Sequence, residues 1–427
     1  MPFQLVTCCG RRYNKGSVDV DKVDRQRRWR EDGMRLEGRR YDHGQPVSLQ
    51  IENGTIASVD VLRCGEKSGL PWIGPGLVDL QVNGYGGAEF TRGDLDVAGV
   101  EQISGAMDAL GVTHYLATVV TQGHGTLLHA LRTIAEAIET RPAVACRVAG
   151  IHLEGPFISM EEGPRGAHPV EYCRPPDWDE FERLQEAARG HIRLVTLSPE
   201  YPSAVEFTRR AAESGLIVAI GHTNANSQQI QAVVDAGARM STHLGNGAHA
   251  YLPRHPNYIW DQLSEDRLVA SLIVDGSHLP EAVVKAMVRA KTPQSVVLVS
   301  DMAGVAGRIG TEPGLYEETG LGAIEVLEDG RAVVAGHPEY LAGATKPLTV
   351  GIKNVMQYAG MDLAAAMDMA SARPAQLLGL DCGMLRAGAA ADLIQFDIGE
   401  EGLLDVLATY QAGTCVWRAA EVGTPKA

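Results

Sequence analysis

The chain has 427 residues, 45% hydrophobic and only 5% aromatic, with 38 basic residues against 53 acidic ones and a formal charge of −15. Such a length allows one large domain plus a small one, and the composition excludes a disordered chain, a coiled coil and a collagen-like repeat. No apolar run reaches the roughly 18–20 residues of a membrane span, the first residues hold no secretory core, and the acidic balance argues against nucleic acid as a partner.

Residues 1–45 read as an N-terminal extension. Residues 1–40 carry 11 Lys/Arg and 6 Asp/Glu, and DRQRRWREDGMRLEGRR (24–40) reads as a solvated helix or a partly ordered basic arm. VSLQIENGTIASVDVL (47–62) alternates around a polar turn, which predicts a hairpin. ADLIQFDI (391–398) and TCVWRA (414–419) answer it from the other end. The two ends together predict a small β-sandwich domain from 46–73 and 378–420.

Between them, short apolar runs recur, each followed by a helix-like segment. They are GLVDLQVNG (76–84), THYLATVVT (113–121), AGIHLEGPF (149–157), HIRLVTLSPE (191–200), LIVAIGHTN (216–224), RMSTHLGNG (239–247), VASLIVDGSH (269–278) and SVVLVSDMAG (295–304). Eight such units predict a (β/α)8 TIM-like barrel over 74–377. GAIEVLEDGRAVVAG predicts a β-hairpin inserted at about 316–340, turning at Asp-Gly. Cys8, Cys9, Cys64, Cys146, Cys173, Cys382 and Cys415 form no C-x-x-C pair. They read as incidental thiols in a reducing, cytoplasmic compartment.

A barrel of this kind works at the C-terminal ends of its strands. Run three ends at Glu154, run five at His222, run six at His243 and run eight at Asp301. Two imidazoles and one carboxylate form a known catalytic zinc set with an open position for water. A carboxylate beside it, Asp301, can take the water's proton and pass it to a leaving amine. Where many metal hydrolases carry His-x-His, the first strand has Gln81-Val82-Asn83. Amides are poor ligands, which predicts one divalent metal ion rather than two. Zn²⁺ leads, with Fe²⁺, Co²⁺ and Mn²⁺ left open.

PGLVDLQVNGYGG (75–87), GIHLEGPF (150–157), RGAHP (165–169), AIGHTNA (219–225), THLGN (242–246), DGSH (275–278), LVSDMAGVAG (298–307) and LAGATKPLTVGIKNV (341–355) carry a more specific likeness. Over roughly 46–415 the chain resembles the N-acetylglucosamine-6-phosphate deacetylase family of the amidohydrolase superfamily. The resemblance implies hydrolysis of the acetamide of an amino-sugar phosphate, releasing acetate. It implies Glu154, His222 and His243 as metal ligands and Asp301 as general acid–base. It gives His168 a substrate contact that helps polarise the acetyl carbonyl. It sets Asn246 and Gly247 near the sugar phosphate, Arg254 at a phosphate-binding arginine, and Leu341, Ala342 and Gly343 along the sugar pocket. It implies that His278 reaches the phosphate of a neighbouring subunit, hence a homodimer. The family usually has a bulky residue, Asn and Ala after Thr-His-Leu, whereas this chain has Gly245-Asn246-Gly247 followed by AHAYLPRHPNYIW. That departure leaves open an unphosphorylated or different N-acetyl amino sugar, or another amide.

Overall fold

In the computed structural model the described residues are 33–62, 69–307, 313–399 and 401–420. Most of the basic N-terminal stretch, with Cys8, Cys9 and Cys64, lies outside them.

Eight parallel strands form one sheet in chain order. They are β1 (Leu77–Val82), β2 (Val112–Val120), β3 (Val148–Glu154), β4 (Ile192–Leu197), β5 (Ile217–Ile220), β6 (Met240–Ser241), β7 (Val269–Leu272) and β8 (Val296–Leu298). All of β1 and nearly all of β2 are buried. That explains their continuous apolar runs, since a strand covered on both faces does not alternate. The sheet closes just past β8: Asp301 N donates to Gln81 O (3.0 Å), Asn83 N donates to Met302 O (2.9 Å), and Met302 bridges Val82 in parallel.

A helix follows each strand: α1 (Val97–Ala109), α2 (His124–Thr140), α3 (Trp178–Ala187), α4 (Ala204–Glu213), α5 (Ser227–Asp235), α6 (Tyr258–Ser264), α7 (Glu281–Lys291) and α8 (Leu348–Ala359). Side-chain caps fix several starts, as at Asp96 before α1 and in the Asn226–Gln229 capping box before α5. A buried cluster joins Val78, Leu80, Leu116, Leu194, Ala219, Met240 and Val297 from six strands to Ala375 and Leu378 of helix Ala372–Leu378. That helix plugs the N-terminal end of the barrel: Arg193, near the start of β4, donates to Leu378 O, and Val78 N donates to Ala370 O at 2.8 Å.

The β domain expected from both ends is one continuous seven-stranded sheet. Its order is Thr414–Arg418, Leu404–Gln411, Leu393–Ile398, Trp72–Pro75, Met34–Arg40, Pro46–Glu52, Thr55–Val61. The predicted hairpin is present, turning at Asn53 (φ 51°) and Gly54 (φ 79°). The sheet also takes in Met34–Arg40, a strand inside the stretch read as an extension. Its alternating Arg35, Glu37 and Arg39 mimic a solvated segment, but Leu36 and Gly38 pair with Leu49 and Val47. The insertion is likewise larger than the expected hairpin. It is a four-stranded antiparallel sheet of Gly314–Thr319, Gly322–Val326, Ala332–Val334 and His337–Leu341.

Candidate metal and catalytic centre

Glu154 ends β3, His222 follows β5, His243 follows β6 and Asp301 follows β8. All four are buried at one mouth of the barrel. Glu154 Oε1 lies 2.9 Å from His243 Nε2 and 3.4 Å from His222 Nε2, and the two Nε2 atoms are 3.1 Å apart. Three ligands held about 2.0–2.2 Å from one tetrahedral ion would lie about 3.3–3.6 Å apart, so the triangle already has the right scale. Two imidazole nitrogens facing one another at that distance need a shared proton or a cation between their lone pairs. His222 Nδ1 donates to Pro164 O (2.8 Å), which leaves Nε2 as the lone-pair nitrogen, as a metal-binding tautomer needs. The residues present therefore fit a divalent ion.

Burial works to raise the Glu154 carboxyl, but the hydrogen bonds and charges of His222 and His243 hold it well below the usual range. His243 moves the other way. Burial opposes its charge, yet the Glu154 carboxylate holds its pKa above the ordinary histidine value.

Asp301 is clamped by the two amides of β1 and its end. Gln81 Nε2 donates to Asp301 Oδ1 and to Glu154 Oε1, both at 2.9 Å, and Asn83 Nδ2 donates to Asp301 Oδ1 at 2.7 Å. Burial, with the Glu154 charge behind it, pushes the Asp301 carboxyl up to about 6. A cation in the triangle would draw it down again. Both amides grip one oxygen, so the carboxylate has a fixed orientation. Their role is steric and orienting, which the weakness of amides as ligands did not reveal. The signal was the i, i+2 spacing, which puts Gln81 and Asn83 on one face of the chain.

Three of these residues have left-handed backbones: His222 (φ 49°), His243 (φ 28°) and Asp301 (φ 54°). Non-glycine residues rarely adopt this region, and each instance costs about 1–3 kcal/mol. Packing and main-chain bonds hold them there, including His243 N to Ser271 Oγ (2.7 Å) and Ala344 N to Asp301 O (2.8 Å).

The four residues open onto a cavity of about 320 Å³. His168, Asn246, Gly247, His278, Leu341 and Gly343 line it, as expected. The His168 ring packs edge-on against His222, with centroids 4.4 Å apart. Burial and the neighbouring His222 hold its pKa well below the ordinary value, so it is a neutral imidazole, and its buried Nδ1 has no partner. Gly247 has φ 55°, and a Cβ there would meet His222 Nδ1 at 2.6 Å.

Two expectations need correction, and a third residue stands apart from the cavity. Ala342 does not line the cavity: it follows an outward strand end and turns into a small core with Ala303, Val305 and Ile324. His278 is not free to reach a neighbouring subunit. Its side chain is only 5% exposed, its Nδ1 sits 3.0 Å from Asp275 Oδ2, and it faces the cavity of its own chain. Arg254 does not line this chain's cavity; it is exposed on the loop between β6 and α6, which also carries Tyr251 (93% exposed), and Trp260 (56%) is exposed in the first turn of α6. No lysine or arginine is among the described residues lining the cavity. Asp275, which sequence reading passed over, holds His278 in place. Its main-chain turn, with Ser277 N and His278 N donating to Asp275 Oδ1, was the available sign.

A closed parallel barrel with a His2Glu triangle and a clamped carboxylate at its C-terminal mouth defines a hydrolase of the metal-dependent barrel class. The chain belongs to the amidohydrolase family, whose profile matches residues 72–418. It is 34% identical over 386 residues to the human (Homo sapiens) N-acetylglucosamine-6-phosphate deacetylase, covering 88% of this chain and 89% of that one. It is 30% identical to an N-acetylgalactosamine-6-phosphate deacetylase of Escherichia coli O157:H7, over 82% and 90% of the two chains. A solved structure of a mutant N-acetyl-D-glucosamine-6-phosphate deacetylase from Mycobacterium smegmatis, in complex with N-acetyl-D-glucosamine-6-phosphate, superposes with a TM-score of 0.80 at 28% identity. It covers 90% of this chain and 99% of its own.

Proposed function

We propose that this protein hydrolyses the acetamide of N-acetylglucosamine-6-phosphate to glucosamine-6-phosphate and acetate. The observation that carries the reading is the Glu154–His222–His243 triangle with Asp301 held one amide away. Glu154, His222 and His243 would hold one divalent ion, Zn²⁺ first among the candidates. Bound there, such an ion polarises a carbonyl and acidifies water. Asp301, fixed through Oδ1 by Gln81 and Asn83, accepts the proton of the attacking water and returns it to the departing amine. His168, neutral and with a nitrogen to spare, hydrogen-bonds the acetyl oxygen as charge builds on it. Leu341 and Gly343 flank the sugar, and Asn246, Gly247 and His278 face its phosphate end.

That no lysine or arginine lines the cavity among the described residues bears on the phosphate. The resemblance sets Arg254 at a phosphate-binding arginine, and here it projects from an exposed loop with Tyr251, ahead of exposed Trp260 in α6. The reading that joins these facts is a homodimer in which Arg254 serves the neighbouring subunit's cavity, while His278 serves its own. The same lack favours a second reading, an unphosphorylated N-acetyl amino sugar. No described helix is long and apolar enough to cross a membrane. Cys146, Cys173, Cys382 and Cys415 are free thiols, which suits the cytoplasm.

Acetate release from N-acetylglucosamine-6-phosphate and from N-acetylglucosamine, by metal-loaded protein at equal concentrations, separates the readings. Turnover of the phosphate ester alone, with KM raised by Arg254→Ala and kcat nearly kept, supports the first. Equal turnover of both, indifferent to Arg254→Ala, supports the second.

A further inference from the structure

A second group of metal-ligating side chains lies far from the mouth. His114, Cys382 and Asp392 each offer a ligand atom, and these atoms all lie within 4.8 Å of one another. His114 stands near the start of β2, at the end of the barrel opposite the catalytic residues. Cys382 follows the plug helix Ala372–Leu378, and Asp392 immediately precedes Leu393–Ile398 of the terminal sheet. Three parts of the chain that are separate in sequence converge there.

The local hydrogen bonds leave the ligand atoms available. His114 Nδ1 is 3.3 Å from Thr113 Oγ1, which turns Nε2 toward Asp392 Oδ2 at 3.9 Å. Asp392 Oδ1 is taken by Ala412 N (2.8 Å), leaving Oδ2 for the cluster. Cys382 and Asp392 are buried, whereas the His114 side chain is 18% exposed, so solvent can reach the site. Ligands of one tetrahedral ion lie about 3.3–3.7 Å apart. The His114–Asp392 pair at 3.9 Å is slightly wider than that, and the other pairs, all within 4.8 Å, close onto an ion only if the side chains draw in by up to about 1.5 Å.

We infer that His114, Cys382 and Asp392 form a structural Zn²⁺ site that ties the base of the barrel to the terminal sheet, with water as the fourth ligand. One thiolate, one carboxylate and one neutral imidazole around a divalent ion sum to zero charge, which suits a largely buried place. Binding releases the Cys382 proton to solvent and leaves the imidazole neutral. Arg147, the nearby guanidinium, is paired with Asp108 at 2.6 Å, and its charge works against a cation at His114 that the Asp392 carboxylate attracts. The soft thiolate sets this site apart from the oxygen-and-nitrogen set at the mouth.

That difference supplies the test. The full-length protein, Cys382→Ser and His114→Gln are loaded with Zn²⁺ or Co²⁺, cleared of free ion and compared. The wild type is expected to hold one more equivalent of Zn²⁺ than either variant. Its Co²⁺ form is expected to show a near-ultraviolet thiolate-to-cobalt charge-transfer band that Cys382→Ser lacks. Deacetylation at room temperature should stay within about twofold in both variants, while Tm falls. Equal zinc content in all three proteins overturns the inference. So does a wild-type cobalt spectrum without the band, or a band that survives Cys382→Ser and hence belongs to another thiol. His114→Gln keeps the thiol and sits partly in solvent, so it reports on the site should Cys382→Ser fail to fold.

Discussion

The barrel mouth and the loop between β6 and α6 lie next to each other and are built on opposite terms. At the mouth Glu154, His222, His243 and Asp301 are buried, cross-bonded and held partly in strained backbone. A few residues on, Tyr251, Arg254 and Trp260 stand in solvent. Chemistry that depends on ångström placement sits where strands over-determine each side chain. The proposed role of Arg254 in substrate selection falls instead where the chain is exposed and free to vary. The departures from the family pattern respect that border. They begin at Gly245, directly after Thr242-His243-Leu244, and run outward.

If the border is real, substitutions on its two sides differ in kind. The largest effect is expected from Asp301→Asn, which keeps the size and the backbone turn but cannot take a proton. Its kcat should fall about 10²–10⁴-fold with metal content unchanged, read by acetate release beside elemental analysis. An active Asp301→Asn protein would remove Asp301 from the proton's path.

Gly247→Ala lies on the border itself. The added methyl would meet His222 Nδ1, which must keep its bond to Pro164 O. Metal affinity is expected to fall about 10–100-fold, as when an outer partner of a ligating histidine is lost. Titration with a competing chelator measures it. Unchanged affinity would mean that the loop shifts freely and that the border lies nearer β6.

A smaller effect belongs to Asp275. Burial works against its charge, but the hydrogen bonds and charge of His278, with Ser277 N, lower its pKa from 3.8 to about 2. Because the folded value is depressed, its stabilisation is complete above about pH 4 and is lost as pH falls toward 2. The shift corresponds to about 2 kcal/mol. Urea unfolding of wild type and Asp275→Asn should show that gap at pH 6 and a narrower one at pH 3. A gap that widens in acid would have the wrong sign for this pairing.

The smallest effect is expected outside the border. Tyr251→Ala should change unfolding free energy by less than about 0.5 kcal/mol, measured at dilutions that keep the protein monomeric. A concentration-dependent loss would instead mark the loop as part of a subunit contact.

The same border separates what sequence reading could reach. The eight strands were legible because burial on both faces forces unbroken apolar runs, and the polar residues ending those runs are the ones the structure brings together at one mouth. The Gln81–Asn83 clamp was not legible, because residue type describes amides as poor ligands and says nothing of their use as donors to a carboxylate. The strand Met34–Arg40 escaped because its outward charges outnumber its inward apolar residues. The orientation of His278 and the retreat of Ala342 depend on side-chain direction, which motif spacing does not encode. The Cys382 cluster is assembled from positions 114, 382 and 392, a separation at which no local pattern survives.

The barrel's seam has a consequence for how activity is acquired. Asp301 is joined to Gln81 both by main chain and by side chain, across 220 positions of sequence. Its carbonyl also receives the amide of Ala344, beyond the inserted sheet. Asp301, the proposed proton-transfer group, is thus set only when the last strand meets the first, a long-range closure among the slow events of folding. Fragments ending before that point can contain all three proposed metal ligands and still lack turnover. In refolding, recovery of catalysis should trail recovery of helical signal, so the enzyme reports on the closing of its own barrel.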